Sequence, residues 1–539
     1  MRNIHGHRAS RLFLVALTLF VSAGIARSQS DETTKQQDRV GLILHHLPLK
    51  TSRAYIALRK AAGDATGEVL PMTKSEMWSV PKKNLEQLQL LAAKTGVGIK
   101  ELHDQASNAL APMKPGAKMT DKQNKMMQEA KQRASTMGVT MMALPEPAVL
   151  EYALTQGMNS PGHGTQPSLI TLELNSTTTI TVRRTSVVKE GGSYIWHGAI
   201  EGTGEPVTLV CWPMGRLTGN ILHAGSIYTV QSLGGGMHAV IETAPKMLPP
   251  EHAPMDAATK QKMNMSEDPL VKNGDANMLM EKMAPQGEKI DNLRDLHPVR
   301  VRNPKKVIAA SPHTSPVSAE PVTITLIVAY TKAAAGHYTD ISKDLISLAV
   351  AEANQSFKAS GVPNVQIKLV HAYQSGYVEK GTHFDHVFQF TEKGDGVLDE
   401  IHWLRDKHRA DVAMLIVHDL NGCGLAAGVA APAERAFAVV HHGCAAATYS
   451  LAHEIGHIIG ARHDSGLDNS TEPFAYGHGF VNGKKWRTMM GYEQSCEGCP
   501  RLPIWSNPDV LIQGEKAGNE LSNNARVLRE QAARVAAFK

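Results

Sequence analysis

From His453 to Asp464 the chain reads His-Glu-Ile-Gly-His-Ile-Ile-Gly-Ala-Arg-His-Asp. On an α-helix, His453 and His457 lie about 40° apart around the axis and one turn apart along it, on a single face. Two imidazoles so placed can hold one Zn²⁺, and Glu454 beside them is a candidate general base. A continuing helix would carry His463 about 9 Å beyond His457 and onto a different face. To reach the same ion the chain must reverse, and Gly460 can take the positive φ that such a turn needs. His453, His457 and His463 then supply three ligands for one catalytic ion and leave a position open for water. An ion held by three neutral imidazoles keeps its full charge, so that water would lose its proton near neutral pH, with Glu454 to receive it. The competing reading is an amphipathic helix whose histidines only satisfy hydrogen bonds in a core. A glycine and a third histidine at these offsets weigh against it.

The extended motif resembles the signature of the metzincin clan of zinc endopeptidases, in which it is followed by a methionine turn. Arg487-Thr488-Met489-Met490-Gly491-Tyr492 looks like that turn, which makes Met490 the hydrophobic floor of the site and not a ligand. Asp464, directly after the third histidine, resembles the marker residue of the adamalysin/reprolysin family. The similarity runs from about Pro321 to the C-terminus, and includes Cys423-Gly424 and Trp505-Ser506-Asn507-Pro508-Asp509. Many adamalysins lack a tyrosine two residues after the methionine, whereas astacin-like enzymes have one; Tyr492 thus points to a mixed, bacterial-looking branch. By that resemblance, Tyr492 would stabilise the oxyanion or act as a loose fifth ligand. The resemblance implies a secreted zinc endopeptidase acting on protein or peptide substrates.

The chain has 539 residues, enough for two or three domains. Arg2, Arg8 and Arg11 precede an apolar run from Leu12 to Ala23, and Ala26-Arg27-Ser28 fits a small-x-small cleavage site. Residues 1–28 therefore read as a secretory signal peptide. No later stretch is long and apolar enough to span a membrane. In an oxidising compartment the simplest pairing of four of the five cysteines is Cys423–Cys444 and Cys496–Cys499. A zinc knuckle made from all four is the alternative. Cys211 is left over, either as a free thiol that could ligate the zinc and hold a proenzyme latent, or as an inert core cysteine on a strand. A net charge of +5 with acids and bases mixed throughout argues for no nucleic-acid partner.

The elements that must position this chemistry read as follows. Residues 29–245 form an N-terminal prodomain, helical at first (Asn84 to Lys94, Lys122 to Met137), then an antiparallel β-meander over 168–242 with turns such as Gly234-Gly235-Gly236. This stretch also resembles the prodomains that precede bacterial metzincin domains. Residues 246–320, rich in Pro, Met, Lys, Asn and Asp, read as a flexible linker exposed to proteolysis, and hence as a zymogen activation region. The basic cluster Arg300, Arg302, Lys305 and Lys306 falls within it. Residues 321–539 read as an α/β domain, a twisted and mostly parallel sheet with flanking helices. Its strands are expected at Val322 to Tyr330, Val365 to Ala372, Val412 to His418 and Phe437 to Val440. Its helices are expected at Ile341 to Lys358, Gly396 to Arg409, Thr448 to Gly460 and Asn523 to Phe538. The remaining histidines, His402 and the pair His441-His442 among them, read as core or surface residues whose spacings complete no second metal set. Two other classes compete: a thermolysin-like hydrolase with a distant glutamate ligand, opposed by His463, and a secreted binding protein with a structural or vestigial zinc site. A structural site has no use for Glu454.

Overall fold

The short alternating runs of the N-terminal half close on themselves. The structure, a computed structural model, describes residues 89–93, 96, 98, 101–102, 108–113, 118–145, 147–155, 169–251 and 320–539. The expected signal peptide and residues 252–319 of the expected linker lie outside the described residues. Of the helix expected from Asn84 to Lys94, residues 89–93 are described and are helical.

Nine described strands make a barrel: β1 (Asn108–Pro112), β2 (Thr136–Ala143), β3 (Leu169–Glu173), β4 (Thr179–Glu190), β5 (Ser193–Ile200), β6 (Pro206–Trp212), β7 (Arg216–His223), β8 (Ser226–Gly234) and β9 (Met237–Thr243). Neighbours are antiparallel except β1 and β3, whose parallel pairing closes the barrel. Two expectations are corrected here. The meander is a closed barrel, because β1 and β2, from the stretch read as helical, fill the gap between β3 and β9. The helix expected to reach Met137 ends at Gln132 (α1, Asp121–Gln132), and Thr136 onward pairs with β9 instead. Closure leaves no unpaired sheet edge. Alternate residues point inward, among them Val182, Trp196, Leu209, Cys211, Leu217 and Val230. Leu150 and Leu154 of α2 (Pro147–Thr155) pack on the same core.

The C-terminal domain carries a five-stranded sheet of β10 (Val322–Tyr330), β11 (Val365–Gln374), β12 (Val412–Val417), β13 (Gly424–Ala426) and β14 (Phe437–His441). The order is β11-β10-β12-β14-β13, parallel except for the short edge strand β13. The apolar runs have no polar face because both faces are covered. Ile324, Leu326 and Val328 of β10 face one core, shared with α3 (Ser347–Ala359), while Ile327 and Ala329 face a second. That second core holds α4 (His383–Thr391) and α5 (Glu400–His408). The helix expected from Gly396 begins at Glu400, since Gly394 and Gly396 take positive φ and donate their backbone N–H groups to Asp399. On the α3 side lie α6 (Ser450–Ile459) and α7 (Asn524–Val535).

The barrel meets this domain through one face of β7. Arg216, Thr218 and Asn220, two residues apart, share a side of the strand. Arg216 pairs with Asp344 at 2.7 Å, the Thr218 hydroxyl donates to the Asp344 carbonyl at 2.7 Å, and Asn220 Nδ2 donates to Glu352 Oε1 at 3.0 Å. Burial pushes the Glu352 carboxyl well above its ordinary value, offset only in part by the Asn220 amide, and burial likewise raises Asp344 against the pull of Arg216. A carboxyl raised in the folded state contributes stability below its unfolded pKa and loses it as pH rises through the folded value. The melting temperature of the full-length chain should therefore fall as pH climbs from the acid side, and Glu352→Gln should flatten the decline. A slope unchanged in that variant would show that Glu352 is not the group responsible.

Candidate active site

Helix α6 puts His453 and His457 on one face, and its apolar residues Leu451, Ile455, Ile458 and Ile459 enter the core shared with α3. Two glycines let the helix sit this deep. A Cβ at Gly456 would meet the Trp505 ring at 2.5 Å, and one at Gly424 on edge strand β13 would overlap the Glu454 carboxylate. The helix stops at Gly460, whose φ is +132° and whose missing Cβ leaves room for Phe474, 2.7 Å from where it would lie. The chain then turns back, with Ala461 N donating to Gly456 O at 2.8 Å and Arg462 N to Gly477 O at 2.7 Å. Gly460→Ala would meet both an unfavourable φ and a clash, a cost on the order of 1–3 kcal/mol. A melting temperature within error of wild type would contradict this.

That reversal brings three buried imidazoles to a point. Nε2 of His457 lies 3.1 Å from that of His453 and 2.9 Å from that of His463, and His453 and His463 are 3.2 Å apart. Tetrahedral zinc at about 2.0–2.1 Å from each nitrogen would space them by about 3.3 Å. The tautomers also fit. A carbonyl can only accept, so Nδ1–H of His453 donates to Met489 O at 3.0 Å and Nδ1–H of His457 to Ala461 O at 2.8 Å. Each neutral ring therefore turns an Nε2 lone pair to the centre. Burial pushes His463 down to about 3, which keeps it neutral. Glu454 is buried on the same helix.

The methionine turn passes beneath. Met490 is fully buried, and its sulfur would be 3.5 Å from a Cβ at Gly456. The Tyr492 ring stands 4.5 Å, centroid to centroid, from that of His463. Asp464 joins the third histidine to this turn, since its carboxylate accepts from Tyr492 N at 2.9 Å. Disulfides link Cys423 to Cys444 and Cys496 to Cys499. Cys423 precedes β13, and Cys496–Cys499 staples the loop after the turn. Cys211 is not brought to the histidines. It lies on β6 in the barrel core, where burial pushes its thiol up to about 12, a poor state for a zinc-binding thiolate.

Sequence reasoning missed several neighbours. His337, His418 and His442 do meet, contrary to the expectation that the other histidines stay apart. His418 Nδ1 is 3.0 Å from His442 Nε2, but the rings of His337 and His442 stack at 4.4 Å and 11°. Lone pairs lying in parallel planes run past each other, so the group reads as a packed hydrogen-bonded cluster. Arg501 and Glu251, both beside the methionine turn, were also not singled out. No local signal could have found them, because their partners are distant in the chain.

The Reprolysin_5 profile, described as metallo-peptidase family M12, matches residues 320–506. A peptidyl-Asp metalloendopeptidase of Xanthomonas campestris pv. campestris is 32% identical over 385 residues, covering 69% of this chain and 82% of that protein. One of the same name from Stenotrophomonas maltophilia is 41% identical over 227 residues, covering 41% of this chain and 54% of that protein. Among solved structures, metalloproteinase-II from Bacteroides fragilis aligns over 55% of this chain and 81% of that one, at 12% identity and a TM-score of 0.30.

Proposed function

The chain belongs to metallopeptidase family M12 and is a metalloendopeptidase, and from that premise we propose an exported zinc enzyme, made as a zymogen, that cuts protein and peptide chains at aspartate with Glu454 as general base. The observation that carries this reading is the convergence of three imidazole Nε2 atoms within 3.2 Å of one another, beside a buried glutamate. His453, His457 and His463 would hold the ion. Zinc bound there supplies a Lewis acid that makes water acidic near neutral pH and polarises the scissile carbonyl. The chain's own groups do the rest. Glu454 takes the proton of the attacking water and hands it to the leaving amine. Tyr492, against the His463 ring, directs its hydroxyl to the oxyanion that develops on the carbonyl. Met490 and Trp505 hold α6 from below, and the Met489 carbonyl keeps His453 in its ligating tautomer.

Export is supported by the N-terminal leader pattern and by two disulfides, which persist in oxidising compartments. Among the described residues, no helix is long and apolar enough to cross a membrane. The aspartate preference rests on the name carried by the relatives. The zymogen reading is supported by the barrel seated on the catalytic domain through β7. Hydrolysis of casein, and of two peptides that differ only by Asp or Asn, with and without a chelator, tests the activity. Chelator-resistant cleavage would reject the zinc mechanism, and equal cleavage of the two peptides would reject the preference. N-terminal sequencing of the active secreted form should place its start between Met247 and Val322; a chain beginning at Gln29 would reject processing.

A further inference from the structure

After β9 the chain does not leave the catalytic domain but crosses it. Leu248 reaches Gly443, where a Cβ would lie 3.9 Å from its methyl, and Lys246 reaches Gly498. Cys423 N donates to Pro250 O at 2.8 Å, and Pro249 O lies 3.2 Å from Cys423 Sγ. Cys423 immediately precedes β13, the sheet edge whose Gly424 packs on Glu454. A single backbone hydrogen bond thus ties the segment to the residue before this edge.

The next residue, Glu251, turns its side chain into the wall behind the methionine turn. Its Oε1 lies 2.6 Å from Arg487 Nη1 and 2.8 Å from Arg501 Nη2, the latter off the hydrogen-bonding line. Its Oε2 accepts from Glu493 N at 3.4 Å. Both guanidiniums are themselves fixed from within the catalytic domain. Arg487 Nε donates to Cys499 O at 3.0 Å and Nη1 to Gly491 O at 2.7 Å, and Arg501 Nη1 donates to Thr448 O at 3.1 Å. They are 6% and 9% exposed, and Glu251 is the only carboxylate at ion-pair distance from either among the described residues. Burial alone would raise the Glu251 carboxyl, but Arg501 and Arg487 outweigh it and hold it below its ordinary value.

We propose that Arg487 and Arg501 form the pocket that receives the acidic side chain of the substrate, and that Glu251 fills this pocket in the uncleaved chain as an internal substrate mimic. The proposal deepens the aspartate-directed reading above and rests on it. Arginine cannot shed its proton in a protein, so two buried guanidiniums need an anion. The one they have belongs to the segment that joins the barrel to the catalytic domain. Cleavage after Glu251 and departure of the barrel would leave the pair, beside the methionine turn, with no counter-charge. A planar guanidinium fork suits a carboxylate, and an uncharged amide of similar shape would leave a buried charge unmatched.

Binding separates this from a merely structural ion pair. Full-length, zinc-loaded Glu454→Gln should bind a fluorescent Asp peptide weakly, and Glu454→Gln/Glu251→Ala should bind it about 100-fold more tightly, as expected when a buried charge pair is exchanged. Adding Arg501→Gln should remove that gain, whereas Arg501→Lys should keep part of it. The matched Asn peptide should gain little from Glu251→Ala. In turnover by the activated enzyme, Arg501→Gln should bring the Asp-to-Asn ratio of kcat/KM close to one. One zinc per chain and a single cooperative melting transition above the assay temperature show that each variant is folded, even where loss of a buried charge partner lowers that temperature. Equal binding of the Asp peptide with and without Glu251 would overturn the mimic, and an Asp preference surviving in Arg501→Gln would overturn the pocket. A wild-type enzyme that cuts both peptides equally would instead sink the aspartate reading itself.

Discussion

Glu454→Gln should keep one zinc per chain and lose about 10³-fold in kcat, within the range that a positioned acid–base group contributes. Glutamine matches glutamate in shape, so the close approach of Gly424 and the depth of α6 are preserved. What disappears is the ability to accept a proton. The proposed ligand set does not include this side chain: three imidazoles converge without it, and two have their tautomers set by the Met489 and Ala461 carbonyls. Metal analysis alongside peptide hydrolysis separates the two roles. Zinc loss equal to that of a histidine variant would make Glu454 a structural support, and near-normal turnover would move the base elsewhere.

His457→Ala should show the opposite pattern, with zinc lost and activity gone with it. His457 is the nearest neighbour of both other ligands, at 3.1 Å and 2.9 Å. Its removal leaves two nitrogens where a catalytic zinc site takes three protein ligands. A ligand present at a thousand times its Kd stabilises the folded state by about 4 kcal/mol, which for domains of this size is on the order of 10 °C in melting temperature. Chelating the wild type should reproduce the shift, and chelating His457→Ala should add nothing. A variant that retains a full zinc equivalent, or a wild type whose melting is indifferent to chelator, would contradict the assigned ligand set.

The convergence of the three histidines was legible because their geometry is local. Two histidines four apart meet on any helix, and the return of His463 needs only a residue able to adopt the φ of +132° found at Gly460. Strands β10, β12 and β14 were legible for a similar reason, since a run such as Val412–Val417, apolar at every position, suits a sheet covered on both faces. Both disulfides were the pairing expected for an oxidising compartment and short spacing.

Other features depended on segments far apart in sequence. Whether the N-terminal strands form an open meander or a barrel turned on β1 and β2, whose alternation is too weak to announce strands. Whether Cys211 reaches the zinc turned on β6 facing its thiol into the barrel. Glu251 meets Arg487 and Arg501 across more than two hundred residues, and the His337, His418 and His442 cluster is likewise assembled from separate loops. Periodicity encodes which face a residue takes and turn chemistry encodes where the chain reverses, but neither carries the distance between two faces once the chain has folded. The three histidines that could hold a metal belong to the first kind of information. The charge that would select the substrate, and the segment that covers it, belong to the second, because only packing brings a buried cation and its distant counter-charge together.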